Sequence, residues 1–168
     1  NYHRGSSPNS DTAIKVGAID TATIDDGGSY KDKTATYTNR GPAVDIFAPG
    51  NNIQAASSTT TAYNIADYPT DSDYNITNID GTSFAAPQVV GVMALHAQLR
   101  PDLTPAQLKS RIINDSKNVL YETGSDTDYN IFSTSLLGSP NRMLYGKYGS
   151  ANTWSASGSF TFNGPISV

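Results

Sequence analysis

The feature that most constrains the fold is an apolar stretch, residues 83–99, which has almost no polar face before Gln98. Its apolar residues are Ala85, Ala86, Val89, Val90, Val92, Met93, Ala94 and Leu95. A helix that is apolar on all sides must be surrounded by other elements, because no side of it is suited to water. The sequence therefore predicts a buried helix and a fold large enough to cover it.

Short β-prone segments precede this helix. We expect strands at residues 13–19, 34–38, 44–48 and 53–56. The first is mostly apolar, which is typical of a buried strand in a parallel sheet, and Pro49 with Gly50 ends the third. Residues 57–80 are rich in Thr, Asp, Asn and Tyr, so they predict a long surface loop with at most a short strand near residues 74–77.

A second helix is predicted to begin after Thr104. Thr104 is a good N-cap residue, Pro105 suits the first helical position, and Gln107 can complete a capping box. The C-terminal residues 147–168 contain Trp154, Phe160 and Phe162 but no obvious helix. We expect this extension to pack on another chain or on a following domain, as part of a larger assembly.

Composition excludes several classes of function. The net charge is −4 and no segment clusters Lys or Arg, so neither a nucleic acid nor an anionic membrane is an expected partner. No apolar run approaches the roughly 20 residues of a spanning helix. The chain has no cysteine, which excludes disulfides, thiol catalysis and Cys-ligated zinc. It starts at Asn1 without a leader, so we expect it to be part of something longer.

Two acidic segments, residues 71–75 and 126–130, share the pattern Asp-x-Asp-Tyr-Asn. Neither has the glycine and the terminal glutamate of a calcium loop, and acidic side chains favour turns without any ion. We therefore expect exposed turns, no cofactor and no metal site, with structural calcium as the alternative. A carbohydrate-binding or calcium-binding module would rest on these segments alone.

The segment 81–87, Gly-Thr-Ser-Phe-Ala-Ala-Pro, places Ser83 at the start of the apolar helix. A helix N-terminus has free backbone N–H groups and a partial positive charge. The Ser83 amide can therefore donate to an oxyanion that forms when the Ser83 hydroxyl attacks a carbonyl. Gly81 allows a close backbone approach. Position alone leaves open that Ser83 merely caps the helix.

This segment resembles the nucleophile motif of the subtilisin-like serine proteases, Gly-Thr-Ser-x-Ala-x-Pro. Segments 16–20, 36–41, 44–50, 104–108 and 140–145 resemble family segments in the same order, so roughly residues 13–145 are covered. The resemblance implies a three-layer α/β fold, with a mainly parallel sheet flanked by helices. Residues 1–146 would be the C-terminal portion of its catalytic domain, and residues 147–168 an extension.

The resemblance implies a serine endopeptidase that hydrolyses peptide bonds through an acyl-enzyme on Ser83. The Ser83 amide would be one oxyanion donor, and Gly81 and Thr82 would belong to the nucleophile loop. Many members have His where Gln88 stands and Ala where Val90 stands. The family's Asp, its His in a His-Gly-Thr-His segment and its oxyanion Asn in an Ala-Gly-Asn segment are absent. We expect a preceding portion of the same protease to supply them, and the chain alone to be inactive.

Neither histidine of the chain fits the role of general base. His96 follows Ser83 by thirteen residues on the same predicted helix, about 20 Å away and beyond hydrogen-bond reach. His3 lies in a polar segment with no resemblance to the family's histidine motif. A non-catalytic structural or interaction component, retained in a larger assembly as a protease-like fragment, is therefore the alternative function. The compartment is undetermined, and we favour a secreted or extracellular location over the cytoplasm.

Overall fold

The computed structural model describes residues 12–20, 32–57, 65–68, 71–120 and 136–146. Within these ranges the elements are β1 (Val16–Asp20), β2 (Lys33–Thr34), β3 (Ile46–Pro49), β4 (Ile53–Ser57), β5 (Ile65–Tyr68), β6 (Asp71–Ile79), α1 (Thr82–Leu99) and α2 (Pro105–Asp115). Strands and helices together are those of an α/β protein, as predicted. The extension at residues 147–168 and the second acidic segment at residues 126–130 lie outside the described residues.

The first sheet has the strand order β2-β1-β3. Strands β1 and β3 are parallel, with Val16 opposite Ile46, whereas β2 pairs with β1 in the antiparallel sense. The centre of β1 is buried, and a Cβ on Gly17 would overlap the ring of Phe47 on the neighbouring strand. The apolar run therefore does form a buried parallel strand, although it begins at Val16 and not at residue 13.

The predicted strand at residues 34–38 is shorter than expected, because β2 ends at Thr34. The Ala35 amide still donates to the Ala18 carbonyl (2.9 Å), after which the chain turns and the Thr38 amide donates back to Ala35 (3.1 Å). The Thr38 hydroxyl then accepts from the buried Ala18 amide (2.9 Å). A side chain thus replaces the strand backbone as the partner of β1.

Apolar clusters lie on both faces of the first sheet. One cluster joins alternate sheet residues to the helices and comprises Ala18, Ala35, Ile46, Ala48, Ala85, Val89 and Ile112. The other is formed by Ile19, Val44, Phe47, Leu120 and Leu136. Since successive side chains of a strand point to opposite faces, β1 and β3 contribute to both clusters. The sheet consequently lies between the helices on one face and extended segments on the other.

Helix α1 is covered less completely than the sequence predicts. It packs on β1, β3 and α2, and its Ala85, Val89 and His96 are buried. On the opposite side Val90 is 63% exposed, and a Cβ added to Gly91 would meet no atom within 4 Å. The expectation of burial on all sides is therefore wrong for the described residues, because none of their elements packs against this side.

The described residues within the range 57–80 are more regular than the predicted surface loop. Strands β4, β6 and β5 form a second, antiparallel sheet in that order, and β6 is nine residues long. The first acidic segment lies within β6, so the prediction of a turn at residues 71–75 is wrong. Strand β4 confirms the strand predicted at residues 53–56, and β6 contains the short strand allowed near residues 74–77. The full length of β6 escaped prediction because most of its residues are polar, whereas the prediction relied on apolar and β-branched runs.

Helix α2 begins as predicted. The Thr104 hydroxyl accepts from the Gln107 amide (3.3 Å), and the Gln107 side chain accepts from the Thr104 amide (2.8 Å), which completes the capping box. Neither described helix combines the length and the apolarity needed to cross a bilayer.

One ion pair ties α2 to the first sheet. The Asp45 carboxylate accepts from the Lys15 amide (2.8 Å) and from the Lys109 ammonium (3.1 Å). The Lys109 ammonium also donates to the Ala13 carbonyl (2.7 Å). Both charged side chains are largely buried, with exposed fractions of 16% for Lys109 and 21% for Asp45. The three contacts fasten the start of β1, the approach to β3 and the middle of α2 to one another.

Replacing Asp45→Ala should lower the free energy of unfolding by about 1–3 kcal/mol, because the Lys15 amide and the Lys109 ammonium lose a charged acceptor. Urea unfolding of the protein measures this loss. The matched control is Asp102→Ala, which removes an exposed ion pair. The side chains of that pair, Arg100 and Asp102, are 53% and 63% exposed. The control should leave the unfolding midpoint unchanged. Equal shifts for the two variants would show that Asp45 has no special role.

Candidate active site

Ser83 is the second residue of α1 and is exposed. Helix α1 begins at Thr82, its N-cap residue is Gly81, and no side chain caps it. Ser83 therefore does not cap the helix, which removes the structural role that the sequence left open. Its hydroxyl stands at the surface, at the end of a helix whose next turns are packed into the core.

The backbone at this end of α1 is suited to hold a negative charge. The first N–H groups of a helix have no partner within the helix, and they carry the positive end of its dipole. The Phe84 amide is already used, since it donates to the Gly81 carbonyl (3.0 Å). The first turn contains no acidic side chain that would offset the dipole. The Ser83 amide is thus placed beside its own hydroxyl in a field that favours an anion.

Two glycines bring the segment that precedes Ser83 against the end of β3. The Gly81 amide donates to the Gly50 carbonyl (2.8 Å). A Cβ on Gly50 would lie 2.6 Å from the Ala18 Cβ and 3.0 Å from the Gly81 oxygen, so a side chain there would force the segments apart. Gly81 has φ of 157°, which residues with side chains rarely adopt, and its Cβ would lie 3.1 Å from the Ser83 hydroxyl oxygen.

Two side chains reinforce this contact. The Tyr37 hydroxyl donates to the Gly50 carbonyl (2.5 Å). The Gln88 side-chain amide donates to the carbonyls of Pro49 (2.6 Å) and Phe84 (3.1 Å). The sequence alone predicts no role for either residue. An available signal was that Gln88 is a polar residue in an otherwise apolar helical stretch.

The hydroxyl of Tyr37 remains a donor across the neutral range. Partial burial raises the pKa of Tyr37, and the negative charge of Asp80 raises it further. Asp80 itself, next to Gly81, accepts from the Asn52 amide (2.6 Å). The loop after β3 is thereby joined to the residues just before Ser83, in addition to the contact between the two glycines.

Sequence comparison shows which protein family this chain belongs to. Residues 1–135 match the model of the subtilase family. The chain belongs to the subtilase family. It is 33% identical over 137 residues to Subtilisin-like protease 8 of Arthroderma otae, covering 76% of this chain. It is 32% identical over 143 residues to Serine protease AprX of Bacillus subtilis, covering 80% of this chain.

A solved structure supports the fold of this subtilase chain. A cold-adapted subtilisin-like serine proteinase aligns over 82% of the chain with a TM-score of 0.54 and 28% identity. The predicted subtilisin-like α/β fold is therefore confirmed. The chain covers 38% of that structure, and 23% and 30% of the two curated relatives, so it spans about a quarter of the curated relatives' length.

The structure does not bring a histidine of the described ranges to Ser83. His96 lies in the last turn of α1 and is 2% exposed, on the side that faces α2. Its Nδ1 atom accepts a hydrogen bond from the Arg111 Nε atom (3.1 Å). His96 thus belongs to the contact between the helices. His3 lies outside the described residues, and no metal-binding group of three or more acidic or histidine residues occurs within them.

The environment of His96 favours its neutral form. Burial lowers the pKa of His96, the positive charge of Arg111 lowers it further, and Asp115, whose carboxylate is 3.8 Å from Nε2, opposes the shift. A proton on Nδ1 would also replace the acceptor that Arg111 uses. Protonation therefore disfavours the packing of α1 on α2.

The stability of the fold should accordingly decrease as the pH falls below about 6.5, the ordinary pKa of histidine, because the unfolded chain then binds a proton more readily than the folded one. Above that pH the contribution is fully present. The variant His96→Gln should flatten this dependence between pH 7 and pH 5 when the free energy of unfolding is measured at each pH. If the free energy of unfolding of His96→Gln depends on pH as steeply as that of the wild type, His96 is not the group responsible.

Proposed function

We propose that this chain carries the nucleophile of a serine endopeptidase, Ser83, which forms an acyl-enzyme with peptide substrates. The observation that supports this most directly is the position of Ser83, exposed as the second residue of α1. Its amide belongs to a helix N-terminus without an acidic side chain in the first turn. Membership of the subtilase family, whose relatives named above are proteases, points to the same chemistry.

The proposed reaction begins when the Ser83 oxygen bonds to the carbonyl carbon and an imidazole takes the hydroxyl proton. The carbonyl oxygen becomes negative and accepts a hydrogen bond from the Ser83 amide. The carbon–nitrogen bond then breaks, and the amine leaves with the proton from the imidazolium. Water repeats the sequence on the ester, which releases the acid and restores the Ser83 hydroxyl. This reaction needs no cofactor.

The base must come from outside the described residues. A serine at its ordinary pKa is a poor nucleophile, and His96 is buried against α2 about 20 Å along the same helix. We propose that a preceding portion of the same protease supplies the Asp, the His and the oxyanion Asn, as the family resemblance implies. The chain alone would then be inactive.

The uncovered side of α1 supports this arrangement. Its exposed residues recur at helical spacing and are Ser83, Pro87, Val90, Gly91 and Ala94. The nucleophile therefore stands at one end of an open, mostly apolar surface, and a segment that covers the surface also approaches the Ser83 hydroxyl. Covering Val90 alone would contribute about 1.5–3 kcal/mol. The upstream portion would thus complete the core and the active site together.

We also propose the partners of the chain and its location. Peptides or proteins are the substrates, and a larger assembly would form through residues 147–168. A secreted or extracellular location fits an endopeptidase, since such an activity threatens the proteins of a cytoplasm. No cofactor or metal is part of this proposal, and structural calcium stays the alternative for the acidic segments.

The test is labelling by a serine-directed phosphonate in the protease that contains both this chain and its upstream portion. Ser83 should be phosphonylated there, and the chain alone should not react, because the imidazole is missing. Ser83→Ala should abolish labelling and lower kcat by about 10⁶, as the loss of either the serine or the histidine does in subtilisin. Its stability should change by less than about 0.5 kcal/mol, because the hydroxyl is exposed and caps nothing.

The control is Ser110→Ala, which removes an exposed serine hydroxyl from α2 that donates to the Ala106 carbonyl (3.0 Å). It should retain full labelling. A folded, paired sample without label on Ser83 would support the alternative, a non-catalytic component of a larger assembly. Phosphonylation of a different residue would also reject Ser83 as the nucleophile.

A further inference from the structure

The first turn of α1 lacks one of the hydrogen bonds that normally hold a helix together. Pro87 lies inside the helix, four residues after Ser83. Proline has no backbone N–H, so the Ser83 carbonyl receives no hydrogen bond from the residue that would ordinarily supply it. The turn that carries the nucleophile must therefore be positioned in part by contacts from outside the regular helix.

Gln88 provides such a contact. Its side-chain NH₂ group has two donors, and they reach the Pro49 carbonyl (2.6 Å) at the end of β3 and the Phe84 carbonyl (3.1 Å) in the turn of Ser83. The Gln88 side chain thus links the end of β3 to the first turn of α1, where Pro87 cannot supply a backbone hydrogen bond. The adjacent Gly50 carbonyl holds Gly81 on the other side of Ser83.

We infer that Gln88 is a positioning residue for Ser83: its side-chain amide fixes the turn of the nucleophile against the end of β3. The inference rests on the proposed function. Gln88 acts through the backbone of Phe84 and Pro49, and it does not contact the substrate.

The chemistry of the two acceptors explains why a neutral donor is needed. Both are backbone carbonyl oxygens, so a carboxylate of the same shape would face them with acceptors only. An apolar side chain of similar size would leave the Pro49 carbonyl without this donor. In either case the turn can shift, and a misplacement of about 1 Å at a catalytic centre can cost about 100-fold in rate.

The experiment compares variants of the complete protease with a peptide substrate, and the number of active sites is counted by phosphonate labelling. Gln88→Glu has the shape of the native residue, and Gln88→Leu is a second variant without charge. For both we expect kcat per labelled site to fall by about 10–100-fold while KM changes by less than about threefold. Gln88→His keeps an N–H donor of similar reach and should recover kcat to within about tenfold of wild type.

The matched control is Gln98→Leu, which changes an exposed glutamine on the same helix and should leave kcat and KM unchanged. If Gln88→Glu and Gln88→Leu lose labelled sites but keep kcat per site, Gln88 only stabilises the fold and the inference is overturned. An unchanged kcat in both variants overturns it as well. If wild-type Ser83 itself is not labelled, the proposed function fails and the inference with it, so the two failures are distinguishable.

Discussion

The hydrogen bond from the Gly81 amide to the Gly50 carbonyl (2.8 Å) joins the sheet to the helix that carries Ser83. It can form only because Gly50 has no side chain, since a Cβ there would lie 2.6 Å from the Ala18 Cβ. Strand β1 therefore sets the position of β3, and β3 sets the position of the residues just before Ser83. The Tyr37 hydroxyl donates to the same Gly50 carbonyl, and the Gln88 side chain donates to the adjacent Pro49 carbonyl, so both strengthen the contact.

Among the described residues, the first sheet is well covered but helix α1 is open on one side. The first sheet is covered by apolar clusters on both faces, and Asp45 with Lys109 fastens α2 to it. Helix α1, however, has one open side that begins at Ser83 and includes Val90. A helix N-terminus and a serine hydroxyl can bind and be acylated, but they cannot remove their own proton. Under the proposed function, one covering segment would both close the open side of α1 and supply the base that the described residues lack.

Several elements of the fold and the segment around Ser83 could be predicted from local patterns in the sequence. The capping box at Thr104 and the apolar run of β1 are local signals, and the structure confirms both. The nucleophile segment could be recognised because seven adjacent residues carry it. Strand β6 was predicted only in part, near residues 74–77, since its polar residues pair through the backbone and give no apolar pattern. The role of Gln88 was missed because its acceptor, Pro49, is 39 residues away in the chain.

The role proposed for the Ser83 amide is tested most directly by a crystal structure of the complete protease after phosphonylation. The phosphorus should be bonded to the Ser83 side-chain oxygen, and a phosphonyl oxygen should lie about 2.7–3.1 Å from the Ser83 amide nitrogen. The hydrogen bond between Gly81 and Gly50 should remain in place, and the imidazole of the upstream portion should lie on the open side of α1. Phosphorus on another residue, or a phosphonyl oxygen turned away from the helix N-terminus, would contradict the account.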